Sequence, residues 1–175
     1  MSAPELSRPI KIRPLPGDPV VVEATEAERA ALARRFDLSA VESLRAEIEL
    51  EEKGKAIRAT GRLDAEIMQA CAISAEDFSV TISEPVDLKF VPEGTLAAVE
   101  SEDEEIELEA DDCDEIEYSG DAFDLGEAIA QTLGLAIDPY AEGPNADAAR
   151  KAAGISSDDV PSGPLAEALA ALKRD

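Results

Sequence analysis

The chain has 175 residues and a mass of 18.5 kDa, with 40 acidic against 16 basic side chains, no histidine and a net charge of −24. Leu, Ile, Val and Phe number 41, and the aromatics are only four Phe and two Tyr, which suits a modest core with very acidic segments. These facts exclude Ser-His-Asp and Cys-His chemistry and His-ligated metals. No apolar run reaches the roughly 18 residues of a membrane helix, and Met1 to Leu15 lacks the apolar core of a secretory signal.

Ser7 to Val22 reads as two short strands. Ile10 and Ile12 lie in the first, prolines break the chain, and Val20-Val21-Val22 resumes it. A helix is predicted over Glu26 to Arg35. Thr25 caps it, Glu28 three residues on completes a capping box, and Arg34 and Arg35 suit the C-terminal end of its dipole. Ala27, Ala30, Ala31 and Leu32 offer a narrow apolar face, and Phe36 and Leu38 leave the helix toward the core.

Strict alternation over Leu44 to Leu50 and over Ile57 to Ile67, joined by Lys53-Gly54-Lys55, predicts a long antiparallel hairpin with one wet face. Cys71 ends it. Phe78 to Ile82 and Val86 to Phe90 follow, either as two strands or as one bent strand at Pro85. Glu100 to Glu117 holds twelve acids and no base, and reads as an acidic loop followed by edge strands.

Asp124 and Glu127 start a second helix. Leu125, Ile129, Leu133, Ala136 and Ile137 form its apolar face, and Asp138-Pro139 stops it. Gly126 and Gly134 inside this pattern imply close packing of the helix on the sheet. The fold expected is α+β: an antiparallel sheet built on the central hairpin, flat or curled into a partial barrel, flanked by helices. Residues 1–140 form its one domain. Residues 141–163 make a flexible linker with at most a short helix near Ala146 to Ala153, and 164–175 a short C-terminal helix with Leu165, Leu169 and Leu172 on one face.

Four segments, in this order, resemble one family. Glu23 to Phe36 resembles its N-terminal helix, and Gly61 to Cys71 the strand ending in Gln-x-Cys, here Gln69 and Cys71. Phe123 to Glu127 resembles its late helix start, and Leu133 to Tyr140 its Leu-x-Leu-x-x-Asp-Pro-Tyr ending. The family is the bacterial YceD proteins, also called large ribosomal RNA subunit accumulation proteins. The resemblance spans about residues 5 to 173. It implies a role in accumulation of large-subunit ribosomal RNA, hence in ribosome biogenesis, and supplies no catalytic site. The chain departs from the pattern at Ala141 and Glu142, where relatives often carry Pro-Arg, and in the missing aromatic of the C-terminal segment. Only Cys71 matches the family's cysteines, so no metal carries over, and no cofactor is expected.

Cys71 reads as a small core residue at a strand end, against a ligand or reactive thiol. Gln69 either caps strand hydrogen bonds or contacts a partner. Asp138-Pro139-Tyr140 is either a recognition turn or a helix stop whose tyrosine packs on the domain. The acidic stretch is either a solvated loop or a surface that mimics RNA and holds a basic protein, with Glu104, Glu105, Asp111 and Asp112 as its clamp. Its spacing does not match a calcium loop.

The leading expectation is a cytoplasmic, non-enzymatic ribosome-assembly factor. It acts as an acidic adaptor for a basic large-subunit ribosomal protein or pre-ribosomal particle, through Gln69, Cys71, the acidic clamp and Asp138-Pro139-Tyr140. The alternative is an acidic nucleic-acid mimic that inhibits a DNA- or RNA-binding protein. A third reading, direct RNA binding through Arg8, Lys11, Arg13, Arg34 and Arg35, runs against the net charge.

Overall fold

A computed structural model of the chain describes residues 4–95 and 114–155. The chain divides into two compact units, Met1–Gln69 with Ser79–Asp138 and Ala70–Phe78 with Pro139–Asp175. The larger unit is mixed α+β. Its elements in chain order are β1 (Pro9–Lys11), β2 (Val20–Glu23), α1 (Glu26–Arg35), β3 (Ala40–Lys53), β4 (Ala56–Ala70), β5 (Asp77–Pro92), β6 (Asp114–Tyr118), β7 (Ala122–Asp124) and α2 (Leu125–Ala136). A short helix, α3 (Ala146–Ala152), lies in the smaller unit.

The hairpin forms as its alternation requires. Leu44, Ala46, Ile48, Ile57, Ala59, Leu63, Ala65 and Ile67 are buried, while Arg45, Glu47 and Glu49 are exposed. The turn needs Gly54, whose φ is +66°. The register sets Arg45 opposite Asp64, Glu47 opposite Arg62 and Glu51 opposite Arg58, so opposite charges face each other across the wet side. Gly61 lies opposite Ile48, and a Cβ there would sit 2.0 Å from the main-chain oxygen of Glu47. Such an approach admits only glycine.

The main sheet has the order β2-β3-β4-β5-β6 and does not close into a barrel. Arg58 meets Asp87, Arg62 meets Ser83 and Glu66 meets Ser79, so β5 runs antiparallel to β4. β5 is one strand. Ile82, Val86, Leu88 and Phe90 are buried on one face straight through Pro85. The proline is tolerated because β6 pairs only with Leu88–Pro92, so among the described residues β5 has no neighbour on that side at position 85.

The expectation of a wholly antiparallel sheet needs one correction: β6 runs parallel to β5. Alternation of Ile116 and Tyr118 with acids looks the same in either sense. The long interval between β5 and β6 supplies the dozen or more residues that a parallel connection needs. The acidic loop, including Ile106 and Leu108, lies outside the described residues. A second, two-stranded sheet pairs β1 with β7.

The core lies between the sheet and α2, which buries Leu125, Ile129 and Leu133 completely. Ala136 and Ile137 pack at its edge. The close approaches at the helix glycines are not to sheet strands. A Cβ on Gly126 would lie 2.7 Å from Arg8 N and 2.9 Å from Leu6 O. One on Gly134 would lie 2.6 Å from the Phe36 ring. The expected face of α1 also changes: Leu32 and Ala33 are buried, while Ala27 and Ala30 are exposed. Its last turn is the part that packs, whereas its start is held by polar contacts.

Candidate functional site

Those polar contacts begin at the capping box. Thr25 N–H donates to Glu28 Oε2 at 2.8 Å, and Glu28 N–H donates to Thr25 Oγ1 at 3.4 Å. Arg8 closes on the same carboxylate with both terminal nitrogens, at 2.6 and 3.0 Å. The Arg8 hydrogen bonds, with those from Thr25, hold the Glu28 carboxyl down to about 2. At the other end of α1, Arg35 forks onto Glu127 at 2.8 and 2.9 Å and reaches Glu5 at 3.0 Å. Hydrogen bonding to Arg35 lowers the Glu127 carboxyl below its ordinary range.

Two of the five residues in the RNA-binding reading, Arg8 and Arg35, are therefore engaged, while Arg13 stands 3.7 Å from Glu52 with its side chain 84% exposed. A guanidinium already held in two good hydrogen bonds to a carboxylate is poorly placed to neutralise a phosphate.

Among the residues singled out from sequence, Gln69 and Asp138 come together in the larger unit. Gln69 is only 6% exposed, and its Nε2 donates to the main-chain oxygen of Asp138 at 3.0 Å. Its position on β4 faces the core, where alternation would put an apolar residue. The amide satisfies a carbonyl just past the end of α2, where the backbone has left helical geometry at Ile137.

Cys71, Pro139 and Tyr140 belong to the smaller unit. Cys71 is buried. It begins a tight turn in which Cys71 N–H donates to Glu76 O and Ala75 N–H donates to Cys71 O, both at 2.9 Å. The thiol sits in a nest of donors: Ser74 N–H at 3.3 Å and Ile73 N–H at 3.4 Å from Sγ. Hydrogen bonds from the Ser74 side chain and main chain, then from Gly143 and Ile73, lower the thiol to about 7 against the opposing effect of burial. Gly143 lies over the Phe78 ring and near Cys71 Cβ, where an added Cβ would meet contacts of 3.0 to 3.4 Å. Ala72 N–H donates to Ala141 O at 3.1 Å, and Asn145 donates to Glu76 at 2.6 Å. Tyr140 is 80% exposed.

Glu104, Glu105, Asp111 and Asp112, the proposed clamp, lie outside the described residues, as does Cys113. The same is true of the C-terminal helix with Leu165, Leu169 and Leu172.

One feature of the larger unit escaped the sequence reading: a groove between β6 and α2. Phe90, Tyr118 and Phe123 form its floor. Glu117, Asp124 and Glu127 border it, and no base among the described residues lines it. Phe90 stacks on Phe123 with centroids 4.1 Å apart, and Tyr118 is tilted to Phe123 at 6.2 Å. Only the acids around Tyr118 signalled it, because its walls come from segments distant in sequence.

No helix among the described residues is long and apolar enough to cross a membrane. No curated protein and no solved structure matches the chain. A family model does: that of YceD, described as "Large ribosomal RNA subunit accumulation protein YceD", matches residues 59–172. The matched span runs from the return strand of the hairpin through Gln69, Cys71, α2 and the Asp-Pro-Tyr turn, well over half of the chain, and on that ground this chain belongs to the YceD family.

Proposed function

We propose that the protein supports accumulation of large-subunit ribosomal RNA without catalysing a reaction, as an acidic adaptor for a basic large-subunit ribosomal protein or a pre-ribosomal particle. The family description supplies the process. The observation that carries the adaptor reading is the distribution of charge. The net charge is −24, and Glu100 to Glu117 contributes twelve acids without a base. Among the described residues, eight basic side chains stand in ion pairs with carboxylates: Arg8, Arg13, Arg35, Arg45, Lys53, Arg58, Lys89 and Arg150. Such a surface repels a phosphate backbone and steers a cationic protein toward it.

The test is purification of the tagged protein from its own cells at low and at moderate salt. A basic large-subunit protein or a pre-ribosomal particle that is lost as salt rises is the expected result. A single nucleic-acid enzyme in its place would favour the mimic and overturn the adaptor. Neutralising Glu104, Glu105, Asp111 and Asp112 together should slow association and flatten its salt dependence. Unchanged association kinetics would remove those four residues from the mechanism.

A further inference from the structure

Residues 4–13 carry three bases and one acid, in a chain that carries 16 and 40. From Leu6 to Arg13 they alternate without a break. Leu6 is fully buried, Arg8 is half-buried, and Ile10 and Ile12 pack at the edge of the core. Ser7, Pro9, Lys11 and Arg13 are exposed. The segment lies extended in a slot of the larger unit. On either side of its pairing with β7, Leu125 N–H donates to Arg8 O at 3.1 Å and Ile12 N–H donates to Asp121 O at 3.0 Å. The first turn of α2 is cut away for it. Gly126 has no side chain, and the main chain of Leu6 to Arg8 fills the space one would need. Glu28, Asp124 and the main-chain oxygen of Glu23 receive the polar groups of Ser7 and Arg8. The slot thus fits an extended chain of the pattern apolar-x-Arg-x-apolar-x-apolar.

We infer that this slot is the docking site for an extended, basic segment of a protein partner with that pattern, and that residues 4–13 hold it as an autoinhibitory strand. The inference rests on the adaptor reading and names the surface it uses. Three observations select this occupant. The slot already holds a segment of this chemistry, so the complementarity is observed. A two-stranded ribbon paired over three residues is marginal by itself. Among the described residues, no backbone hydrogen bond ties the stretch that follows, 13–19, which contains Pro14, Pro16 and Pro19. Strand exchange therefore breaks few main-chain bonds and remakes them with the incoming segment. Finally, a net charge of −24 draws in a cationic segment and repels a second copy.

The test uses the full chain, amide hydrogen exchange and a synthetic decapeptide with the sequence of residues 4–13. The peptide is titrated through the millimolar range, because a tethered segment competes at an effective concentration of about 1 mM. Two amides separate exchange of strands from unfolding. Ile12 N–H of the chain should lose protection as its segment leaves. Leu125 N–H should keep its protection, because a carbonyl of the peptide replaces that of Arg8. A control peptide with Leu6→Ser and Arg8→Ser should leave both unchanged. Arg8→Ala in the chain weakens the resident strand alone, so it should raise the apparent affinity for the peptide by about tenfold. Its thermal midpoint shows whether it is folded. The reciprocal change, Arg8→Ala in the peptide against the unaltered chain, should lower affinity by a similar factor.

Loss of protection at Ile12 and Leu125 together would mean unfolding and would overturn the inference. So would an unchanged Ile12, equal binding of the control peptide, or an affinity indifferent to both Arg8→Ala changes. A dimer that grows with protein concentration and carries the segment exchanged between copies would give the slot to a second copy, and overturn it as well. The two readings fail separately. If the peptide never displaces the segment but basic ribosomal proteins still co-purify, only the slot is wrong. If the peptide displaces it and no basic protein co-purifies, the adaptor is wrong.

Discussion

The side-chain amide of Gln69 donates to the main-chain oxygen of Asp138 across 69 residues of sequence, at 3.0 Å. It fastens the end of β4 to the chain just beyond α2. These are also the points at which the chain passes from the larger unit into the smaller, after Gln69 and after Asp138. Gln69→Leu keeps the bulk and leaves a carbonyl without its donor. It should cost about 1–3 kcal/mol in urea denaturation. A loss within the error of the measurement would show that water replaces the amide.

The capping box and Arg8 make Glu28 a marker of acid stability. Its carboxyl is held at about 2 in the folded chain by Arg8 and Thr25, against about 4.3 when unfolded. The unfolded chain takes up the proton first. The stabilisation from Glu28 is therefore present above about pH 4.3 and is lost as pH falls toward 2. Glu28→Gln should flatten the stability profile across that window. Thr25→Ala should cost about 1 kcal/mol at neutral pH, measured by urea midpoints.

Cys71 carries the opposite end of the pH scale. Its thiol is lowered to about 7 in its nest of donors, against about 8.5 in an unfolded chain. A depressed acid stabilises fully only above its unfolded value. Stability from Cys71 should therefore rise as pH increases from 7 toward 8.5, and fall away as pH drops through 7. With Cys113→Ser as background, thiolate absorbance should titrate near 7. Cys71→Ser should abolish both that titration and the rise in stability.

Two glycines separate kinds of crowding. Alanine at Gly61 would press on the main-chain oxygen of Glu47, and alanine at Gly134 on the edge of the Phe36 ring. Backbone inside a paired hairpin yields little, so Gly61→Ala should cost at least about 2 kcal/mol. The ring can shift, and alanine gains about 1 kcal/mol over glycine in a helix. Gly134→Ala should therefore lie within about 1 kcal/mol of wild type. Equal losses at the two sites in the same urea series would contradict this account.

What could be read from sequence was what is local. Thr25 with Glu28 and Asp124 with Glu127 act across three residues, and both caps form where that spacing puts them. The hairpin was legible because a period of two puts Ile48 and Leu63 inward whatever surrounds them. The sense of β6 was not legible, because alternation carries no direction. Neither was the engagement of Arg35, whose partner Glu127 stands 92 residues away. The role of Gln69 was open for the same reason: a glutamine on a core-facing position says that a partner exists, not that it is the carbonyl of Asp138.

The pairing of β1 with β7 has a consequence for synthesis. Pro9–Lys11 find their partners at Ala122–Asp124. Ser7 Oγ and Arg8 N–H both donate to the carboxylate of Asp124, at 2.6 and 2.8 Å, and that carboxylate caps α2. Within the larger unit, β1 is thus synthesised long before β7 and waits for it before it has a strand to pair with. A nascent chain halted before Asp124 keeps the hairpin, whose contacts are local, but leaves Leu6 and the strand beside it in water. Removing the chain through Arg8 would take two donors from the carboxylate that caps a helix more than a hundred residues downstream. The unit is completed as a seam, closed by two segments that lie far apart in sequence.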